Sequence, residues 1–312
     1  MAETVAIIGA GLIGRAWASI FARAGWNVRV TDPDAQARAN AKALILEELQ
    51  ALARHGLSPA PDRLIAQVTV CDSNKDALDG ATFVQENGPE VLDIKKALFK
   101  ELDALAAPGV VLSSSTSAIV TSRFTEDLPG RARCMVGHPV NPPHLVPLVE
   151  LSGASWTSPE TLERARQVYL QIGQVPIDVK KEVEGFILNR LQGALLAEAF
   201  RLVGEGYVST EGIDHCLKNG LGLRWSFMGP FETIELNAPG GVADYCERYT
   251  GFYKRLASDP ARAEHYEGEY LKKVVADWGH EGTPERIARR TRERNERLAA
   301  LAAHKKTQPE LS

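Results

Sequence analysis

The chain has 312 residues, of which 44% are hydrophobic and 24% are charged, and its net charge at pH 7 is −4. This composition excludes collagen-like, disordered and disulfide-dense proteins, and the lack of a basic excess argues against binding to nucleic acids or anionic membranes. At about 150 residues per domain, the length predicts two domains.

The cysteines and the N-terminal segment bear on compartment and metal binding. The four cysteines are far apart in the sequence, and no two of them form a C-x-x-C pair; they are Cys71, Cys134, Cys216 and Cys246. We expect free, buried thiols rather than ligands of a metal, and no metal site is predicted. No apolar run reaches the roughly 18 residues needed to span a bilayer. The N-terminus has no basic stretch followed by an apolar segment, so a cytoplasmic protein is expected.

The first half of the chain alternates short apolar runs with helical patterns, which is typical of a parallel sheet with crossover helices. Strands are predicted at 4–8, 28–31, 68–70, 82–85, 110–113, 134–137, 148–151 and 175–179. Helices are predicted at 15–24, 35–52, 92–105 and 159–172. The fold class predicted for residues 1–184 is therefore α/β, with a mostly parallel, Rossmann-type sheet.

From residue 185 onward the sequence contains helical patterns and no convincing strand. The predicted helices lie at 186–203, 210–218, 231–236, 242–256 and 284–303. The helix at 186–203 is apolar nearly all round, so we expect it to be buried in a domain core or against a partner subunit. Residues 185–312 are predicted to form an all-helical second domain.

A G-x-G-x-x-G motif made by Gly9, Gly11 and Gly14 follows the first strand and opens the first helix. In that context Gly9 permits a tight turn, Gly11 lets the backbone approach a pyrophosphate, and Gly14 lets the helix pack on the strand. The N-terminus of the helix that follows offers unpaired N–H groups to the phosphates, and Leu12 and Ile13 of the motif are predicted to bind the cofactor. The motif therefore predicts a dinucleotide site.

Asp32 closes the second strand, near the offset of about 20 residues expected for the acid that binds the adenosine ribose. A carboxylate there accepts from the 2′-hydroxyl and repels a 2′-phosphate. Since Pro33 and Asp34 follow it rather than Arg or Lys, NAD is favoured over NADP.

Four polar residues have the chemistry that oxidation of an alcohol requires: Ser117, His138, Glu150 and Asn189. Histidine titrates near neutral pH and can take the hydroxyl proton, while a carboxylate behind the imidazole fixes its tautomer. Hydroxyl and amide groups can hold the substrate oxygen. Taken singly, each of these residues also has an ordinary structural explanation.

Together these motifs resemble the L-3-hydroxyacyl-CoA dehydrogenase family over nearly the whole chain. The likeness rests on the H-P-V-N-P run that begins at His138, on Glu150, on Ser117 and on the G-F-x-x-N-R start of the long helix. Within the family it is closest to the lambda-crystallin branch, which is similar to L-gulonate 3-dehydrogenase. The resemblance implies that His138 is the general base and Glu150 its orienting partner.

The same resemblance implies further roles and an assembly. Ser117 and Asn189 would contact the substrate oxygen, and Glu86 and Lys95 would be residues on the cofactor side. The second domain would bind substrate and form a homodimer.

The substrate is expected to be a free L-3-hydroxy acid. The segment that begins at Gly220 is longer than in the CoA-active enzymes and contains Arg224, whose guanidinium could clamp a carboxylate or could cap a helix end at the surface. L-Gulonate-like acids rank first. L-Carnitine or other short 3-hydroxy acids rank second, because Trp225, Phe227 and Phe231 could face a quaternary ammonium group. Acyl-CoA ranks third.

Two other classes of function remain as alternatives. Ser, His and Glu in chain order suggest an esterase, but the sequence lacks a G-x-S-x-G elbow. A non-catalytic NAD-binding or structural protein is the second alternative, and the retention of all four catalytic candidates argues against it.

Overall fold

The computed structural model describes residues 2–309, and one eight-stranded sheet dominates the first part of the chain. The strands are β1 Thr4–Ile8, β2 Asn27–Thr31, β3 Val68–Val70, β4 Phe83–Glu86, β5 Val111–Ser114, β6 Cys134–Pro139, β7 Leu148–Ser152 and β8 Val175–Asp178. Their order is β3-β2-β1-β4-β5-β6-β7-β8, and every pair is parallel except β6 with β7. The predicted mostly parallel Rossmann-type sheet is confirmed.

Fourteen α-helices lie within the described residues. They are α1 Leu12–Arg23, α2 Ala35–Arg54, α3 Pro61–Ile65, α4 Asn74–Leu78, α5 Leu92–Leu105, α6 Ser122–Thr125, α7 Pro159–Gln171, α8 Leu188–Gly204, α9 Thr210–Cys216, α10 Gly222–Trp225, α11 Pro230–Glu235, α12 Gly241–Ala257, α13 Gly268–Trp278 and α14 Pro284–Lys305. Within residues 2–309 no helix is long and apolar enough to cross a membrane.

The sheet is covered on both faces, which explains its uninterrupted apolar strands. In β1, Val5 and Ile7 belong to one buried cluster, with Trp17 and Phe21 of α1. Their neighbours Ala6 and Ile8 belong to a second cluster, which also contains residues of α5. Because alternate side chains point to opposite faces, these clusters form one core on each side of the sheet.

The strand order reverses between β1 and β4, which flank one another at the centre of the sheet. In open α/β sheets, ligands bind beyond the carboxyl ends of the strands at such a switch point. The glycine motif after β1 and the serine-rich run at 113–117 after β5 therefore lie at the edge where a dinucleotide is expected.

The chain divides into two compact units. One contains the described residues up to Asn189 together with 284–309, and the other is Arg190–Thr283. The sequence-based division at residue 184 follows the change in element content, whereas this division follows packing. Helix α14 belongs with the sheet, since Glu296 lies 2.9 Å from Arg54 and 2.7 Å from His55.

Several expectations about the helical part need correction. Helix α13 was not predicted, and the helix predicted at 210–218 ends at Cys216 and continues as a π-helical turn at Leu217–Leu221. Helix α8 is only partly buried within the single chain, because Leu191 is 66% exposed, and its burial against a partner subunit stays a prediction. Of the four free cysteines, Cys71 and Cys134 are buried, but Cys216 and Cys246 are exposed.

Candidate active site

The glycine motif forms the tight turn between β1 and α1, and its geometry fits a dinucleotide. Gly9 has φ of +99°, and a Cβ there would lie 2.8 Å from the Asn87 carbonyl oxygen. A Cβ at Gly14 would collide with the Gly9 carbonyl oxygen. Around Gly11, by contrast, no described atom beyond its chain neighbours and the adjoining α1 backbone lies within 4 Å of such a Cβ. Gly9 and Gly14 are therefore needed by the fold, and Gly11 leaves an open cradle for a phosphate group.

The start of α1 supplies hydrogen-bond donors to that cradle. Gly11 is its N-cap residue and gives no side-chain cap, and Leu12 is 65% exposed. The first N–H groups of a helix have no partner within the helix, so those of Leu12 and Ile13 are available to an anion. This is the chemistry that a pyrophosphate requires.

Asp32 lies at the end of β2, and backbone N–H groups hold its carboxylate beside the glycine turn. Ala10 N donates to Oδ2 over 2.7 Å, and Asp34 N donates to Oδ1 over 2.9 Å. A carboxylate offers about four lone-pair sites, so two N–H groups leave capacity for ribose hydroxyls. The structure thus brings Asp32 together with the glycine motif, as the sequence predicts.

Glu86 and Lys95 form a buried ion pair with each other. Lys95 Nζ lies 2.8 Å and 3.0 Å from the two carboxylate oxygens of Glu86, and both side chains are 1% exposed. The Glu86 carboxylate also accepts hydrogen bonds from Ser114 Oγ and Gly88 N, each over 2.6 Å. In this structure neither charge is accessible, so the pair fixes the ends of β4 and β5 to α5.

His138 and Glu150 face each other across the antiparallel strands β6 and β7. His138 Nδ1 lies 2.7 Å from Glu150 Oε2, and both side chains are buried. The His138 ring also contacts Phe186, with ring centroids 5.2 Å apart. A carboxylate accepts only, so Nδ1 carries a proton, and in the neutral imidazole Nε2 is the nitrogen with the free lone pair.

The other carboxylate oxygen of Glu150, Oε1, accepts hydrogen bonds at the start of α8. Ile187 N and Leu188 N donate to Oε1 over 2.8 Å and 3.0 Å. Burial raises the pKa of the Glu150 carboxyl, but hydrogen bonds from His138 and these two N–H groups outweigh it and hold the pKa below its ordinary value. The turn needs left-handed backbone at Gly185 (φ +76°) and Phe186 (φ +49°).

Asn189 and Ser117 lie together beside this turn. Asn189 Nδ2 donates to the Ser117 carbonyl oxygen over 3.0 Å. Because Asn189 follows the two residues that bind Glu150, residues 187–189 connect the His138–Glu150 pair to the Ser117 loop. The structure therefore gathers all four predicted catalytic residues in one region of the sheet unit.

Glu90 is a residue of this region that the sequence reasoning did not single out. Its carboxylate accepts from the Thr116 hydroxyl and from backbone N–H groups of the loop, over 3.4 Å from Ser117 and 3.1 Å from Ala118. It thereby fixes the loop that carries Ser117. In the sequence, Glu90 could have been found only as an acidic residue close after the predicted strand at 82–85.

Arg224 lies in the second unit, in the short helix α10, and is exposed. It makes no ion pair with any residue in the described part of the chain. Among residues 2–309, no group of three or more His, Cys, Asp or Glu side chains lies together as metal ligands would.

Comparisons with known proteins cover almost the whole chain. Residues 4–183 match the model of the 3-hydroxyacyl-CoA dehydrogenase NAD binding domain, and residues 185–286 match that of the C-terminal domain. The rat lambda-crystallin homolog is 39% identical over 303 residues, which cover 96% of this chain and 95% of the relative. L-Carnitine dehydrogenase from Pseudomonas putida is 41% identical over 238 residues, covering 75% of this chain and 72% of that enzyme.

A solved structure resembles the fold over its full length. It is 5-formyl-3-hydroxy-2-methylpyridine 4-carboxylic acid 5-dehydrogenase, described as an NAD⁺ dependent dismutase. The two superpose with a TM-score of 0.85 at 27% identity, covering 99% of this chain and 100% of that one.

Proposed function

Since the chain belongs to the 3-hydroxyacyl-CoA dehydrogenase family and is an NAD-dependent dehydrogenase acting on a CH–OH group, we propose that it oxidises an L-3-hydroxy acid to the 3-keto acid. The observation that carries the proposal is the buried pair of His138 and Glu150, 2.7 Å apart. Such a pair is suited to removing a hydroxyl proton at neutral pH.

In the proposed reaction His138 is the general base. Glu150 holds the proton on Nδ1, so the Nε2 lone pair takes the proton of the substrate hydroxyl, and the adjacent carboxylate stabilises the imidazolium that forms. In the reverse direction the same nitrogen returns the proton to the ketone oxygen. Both side chains are buried, which strengthens their interaction by excluding water.

Ser117 and Asn189 are proposed to bind the reacting oxygen. A hydroxyl and an amide N–H can donate to an oxygen on which negative charge develops. Glu90 supports this role by fixing the backbone of the Ser117 loop. The bond from Asn189 to the Ser117 carbonyl keeps the two donors adjacent.

The cofactor would be held by Gly11, Leu12, Ile13 and Asp32. The first three offer an open cradle and N–H groups to the pyrophosphate, and the Asp32 carboxylate would bind the adenosine ribose and repel a 2′-phosphate. When bound, NAD supplies an acceptor for the hydride that leaves the carbinol carbon. Glu86 and Lys95 would act by shaping the strand ends rather than by touching the cofactor, because their charges are buried.

The proposed substrate class is a free acid of the L-gulonate type. Arg224 is exposed and could bind a substrate carboxylate in bidentate fashion. The likeness to lambda-crystallin homologues over nearly the full chain supports the sugar-acid choice. L-Carnitine is the second candidate, supported by the likeness to L-carnitine dehydrogenase and by exposed aromatic residues such as Trp225 and Phe231.

The experiment that tests the reaction is NADH formation with L-gulonate, L-carnitine, 3-hydroxybutyrate and a 3-hydroxyacyl-CoA. His138→Ala should lower kcat by about 10²–10⁴-fold. The exposed His304→Ala variant is the matched control and should turn over normally. A folded His138→Ala variant that binds NAD and keeps its wild-type kcat would contradict the proposal.

The substrate class has its own test. Arg224→Met should raise the KM for a free hydroxy acid and leave the KM for the uncharged thioester of a 3-hydroxyacyl-CoA unchanged. Arg224→Lys should restore only part of the loss, because an ammonium group cannot form the bidentate pair. Equal KM values for wild type and Arg224→Met with every acid would exclude this role.

We further propose a homodimer built on the helical unit, while the cytoplasmic location stays a prediction. Large apolar side chains are exposed on α8 and α12, namely Leu191, Leu196, Tyr249, Phe252 and Tyr253. Large apolar side chains that a single chain leaves exposed are covered at a subunit interface in many proteins. Sedimentation at micromolar concentration should give the mass of a dimer, and a monomeric mass would exclude it.

A further inference from the structure

A cavity of about 440 Å³ lies in the sheet unit, between the C-terminal half of α14 and the loop that joins β6 to β7. Pro143 to Pro147 of that loop line one side, and Leu298 and Leu301 of α14 line another. None of the residues proposed above for catalysis or for NAD lines it. Its volume falls in the range of small-molecule sites, about 300–1,000 Å³.

The charged groups of this cavity are all basic. Arg23, Lys305 and Lys306 line it, and no Asp or Glu does so among the described residues. Arg23 is half-buried and makes no ion pair within residues 2–309, and burial lowers the pKa of its guanidinium. A cation withdrawn from water without a counter-ion is unfavourable, so the site favours an anion.

Two buried polar atoms in the same lining have no protein partner. They are Nδ1 of His144 and Oε1 of Gln174, whose residue is only 5% exposed. Burial and the charges of Arg23 and Arg294 lower the pKa of His144 to about 4, so its ring is neutral at pH 7. Folded proteins satisfy most of their buried polar atoms, and a bound anion could accept a hydrogen bond from Nδ1 of His144 when that nitrogen carries the ring proton.

The remaining lining is apolar, which restricts the kind of anion. A purely inorganic anion would make no favourable contact with the apolar part of the lining, which includes Leu57, Leu145, Leu298 and Leu301. We propose that this cavity binds a small amphipathic carboxylate, with its charge on Arg23 and Lys306 and its hydrocarbon part against the leucines. Neutral His144 can donate to the carboxylate from Nδ1, and the Gln174 amide can donate only through its N–H₂ group.

Octanoate is a suitable probe, and calorimetric titration of the full-length protein measures its binding. Saturating NADH and L-gulonate are included so that the proposed active site does not compete for the acid. Octanoate should bind wild type in a one-to-one ratio. 1-Octanol, which has the same chain without the charge, should bind at least about tenfold more weakly.

Two variants locate the site. Arg23→Gln should weaken the binding of octanoate by about tenfold or more, because the guanidinium that pairs with the carboxylate is gone. The difference in affinity between octanoate and 1-octanol should then disappear. Ala302→Trp places a large ring in the lining and should prevent binding of both probes. The control Arg297→Gln removes an exposed arginine that does not line the cavity and should leave the Kd unchanged.

The comparison within wild type does not depend on the folding of any variant. Equal affinities for octanoate and 1-octanol, or no binding of octanoate at millimolar concentration, would overturn the proposal. Unchanged octanoate binding by folded Arg23→Gln and Ala302→Trp would also overturn it by placing the probe elsewhere. The result is independent of the proposed oxidation, because it measures binding and not turnover.

Discussion

Glu150 Oε2 lies 2.7 Å from His138 Nδ1, while the second oxygen of the same carboxylate accepts the first N–H groups of α8. One buried acid therefore orients the proposed base and also fixes the start of the helix that carries Asn189. The antiparallel pairing of β6 with β7 makes this possible, because it places His138 and Glu150 directly opposite each other. A change at Glu150 should consequently affect both catalysis and stability.

Glu150→Gln should lower kcat by about 10²–10⁴-fold with little change in NAD affinity. If the amide N–H₂ faces His138, it can pair only with an unprotonated Nδ1, which moves the ring proton to Nε2 and removes the base. Steady-state kinetics and NADH binding measure the two effects. Glu101→Gln, at an exposed acid of α5, is the control and should behave as wild type. A wild-type kcat in Glu150→Gln would exclude the orienting role.

The stability contribution of Glu150 should depend on pH with a defined sign. Its folded pKa is below the ordinary value of about 4.3, so the ionised form stabilises the fold above that pH. The contribution is lost as the pH falls through the folded pKa. In urea unfolding, the advantage of wild type over Glu150→Gln should therefore shrink as the pH falls below about 4.3. A difference that does not vary with pH would contradict this assignment.

The sheet unit follows closely from its sequence. All eight strands were predicted, because strands buried on both faces are short apolar runs bounded by turns. The glycine motif and Asp32 were predicted because their spacing reflects backbone requirements of one short turn. The family resemblance is confirmed by matches over residues 4–183 and 185–286, and the first of these, to an NAD binding domain, confirms the cofactor predicted from the glycine motif and Asp32.

What the sequence did not reveal depends on side-chain contacts between distant segments. Glu90 accepts a hydrogen bond from the backbone of Ser117, about 27 positions further along the chain, and no local sequence pattern predicts that contact. The left-handed backbone at Phe186 delays the start of α8 by two residues relative to the apolar pattern. The packing of α14 on the sheet unit also depends on contacts between distant segments, such as those of Glu296 with Arg54 and His55.

Alanine substitutions at Gly11 and Gly14 should have different effects. A Cβ at Gly11 meets no described atom within 4 Å beyond its chain neighbours and the adjoining α1 backbone. Gly11→Ala should therefore keep wild-type stability and lose NAD affinity, because the methyl group enters the phosphate cradle. A Cβ at Gly14 would strike the Gly9 carbonyl, so Gly14→Ala should lower the melting temperature. Thermal denaturation and NADH fluorescence titration separate the two outcomes. Normal NAD binding by Gly11→Ala would argue against a phosphate at this turn.

The buried pair of Lys95 and Glu86 should contribute to stability rather than directly to cofactor binding. Lys95→Met leaves the Glu86 carboxylate buried without its cation, which should lower the free energy of unfolding by about 3–5 kcal/mol. Adding Glu86→Gln removes the uncompensated charge and should recover part of that loss.

Lys96→Met, at the exposed neighbouring position, is the matched control and should stay within about 0.5 kcal/mol of wild type. Chemical denaturation measures the free energy of unfolding of the Lys95→Met, double and Lys96→Met variants. NADH titration of the folded double variant tests whether the pair binds the cofactor. If the double variant is stable but no longer binds NADH, Lys95 or Glu86 has a direct part in binding the dinucleotide. If it binds NADH as wild type does, the pair serves to hold α5 against the ends of β4 and β5, which carry the site.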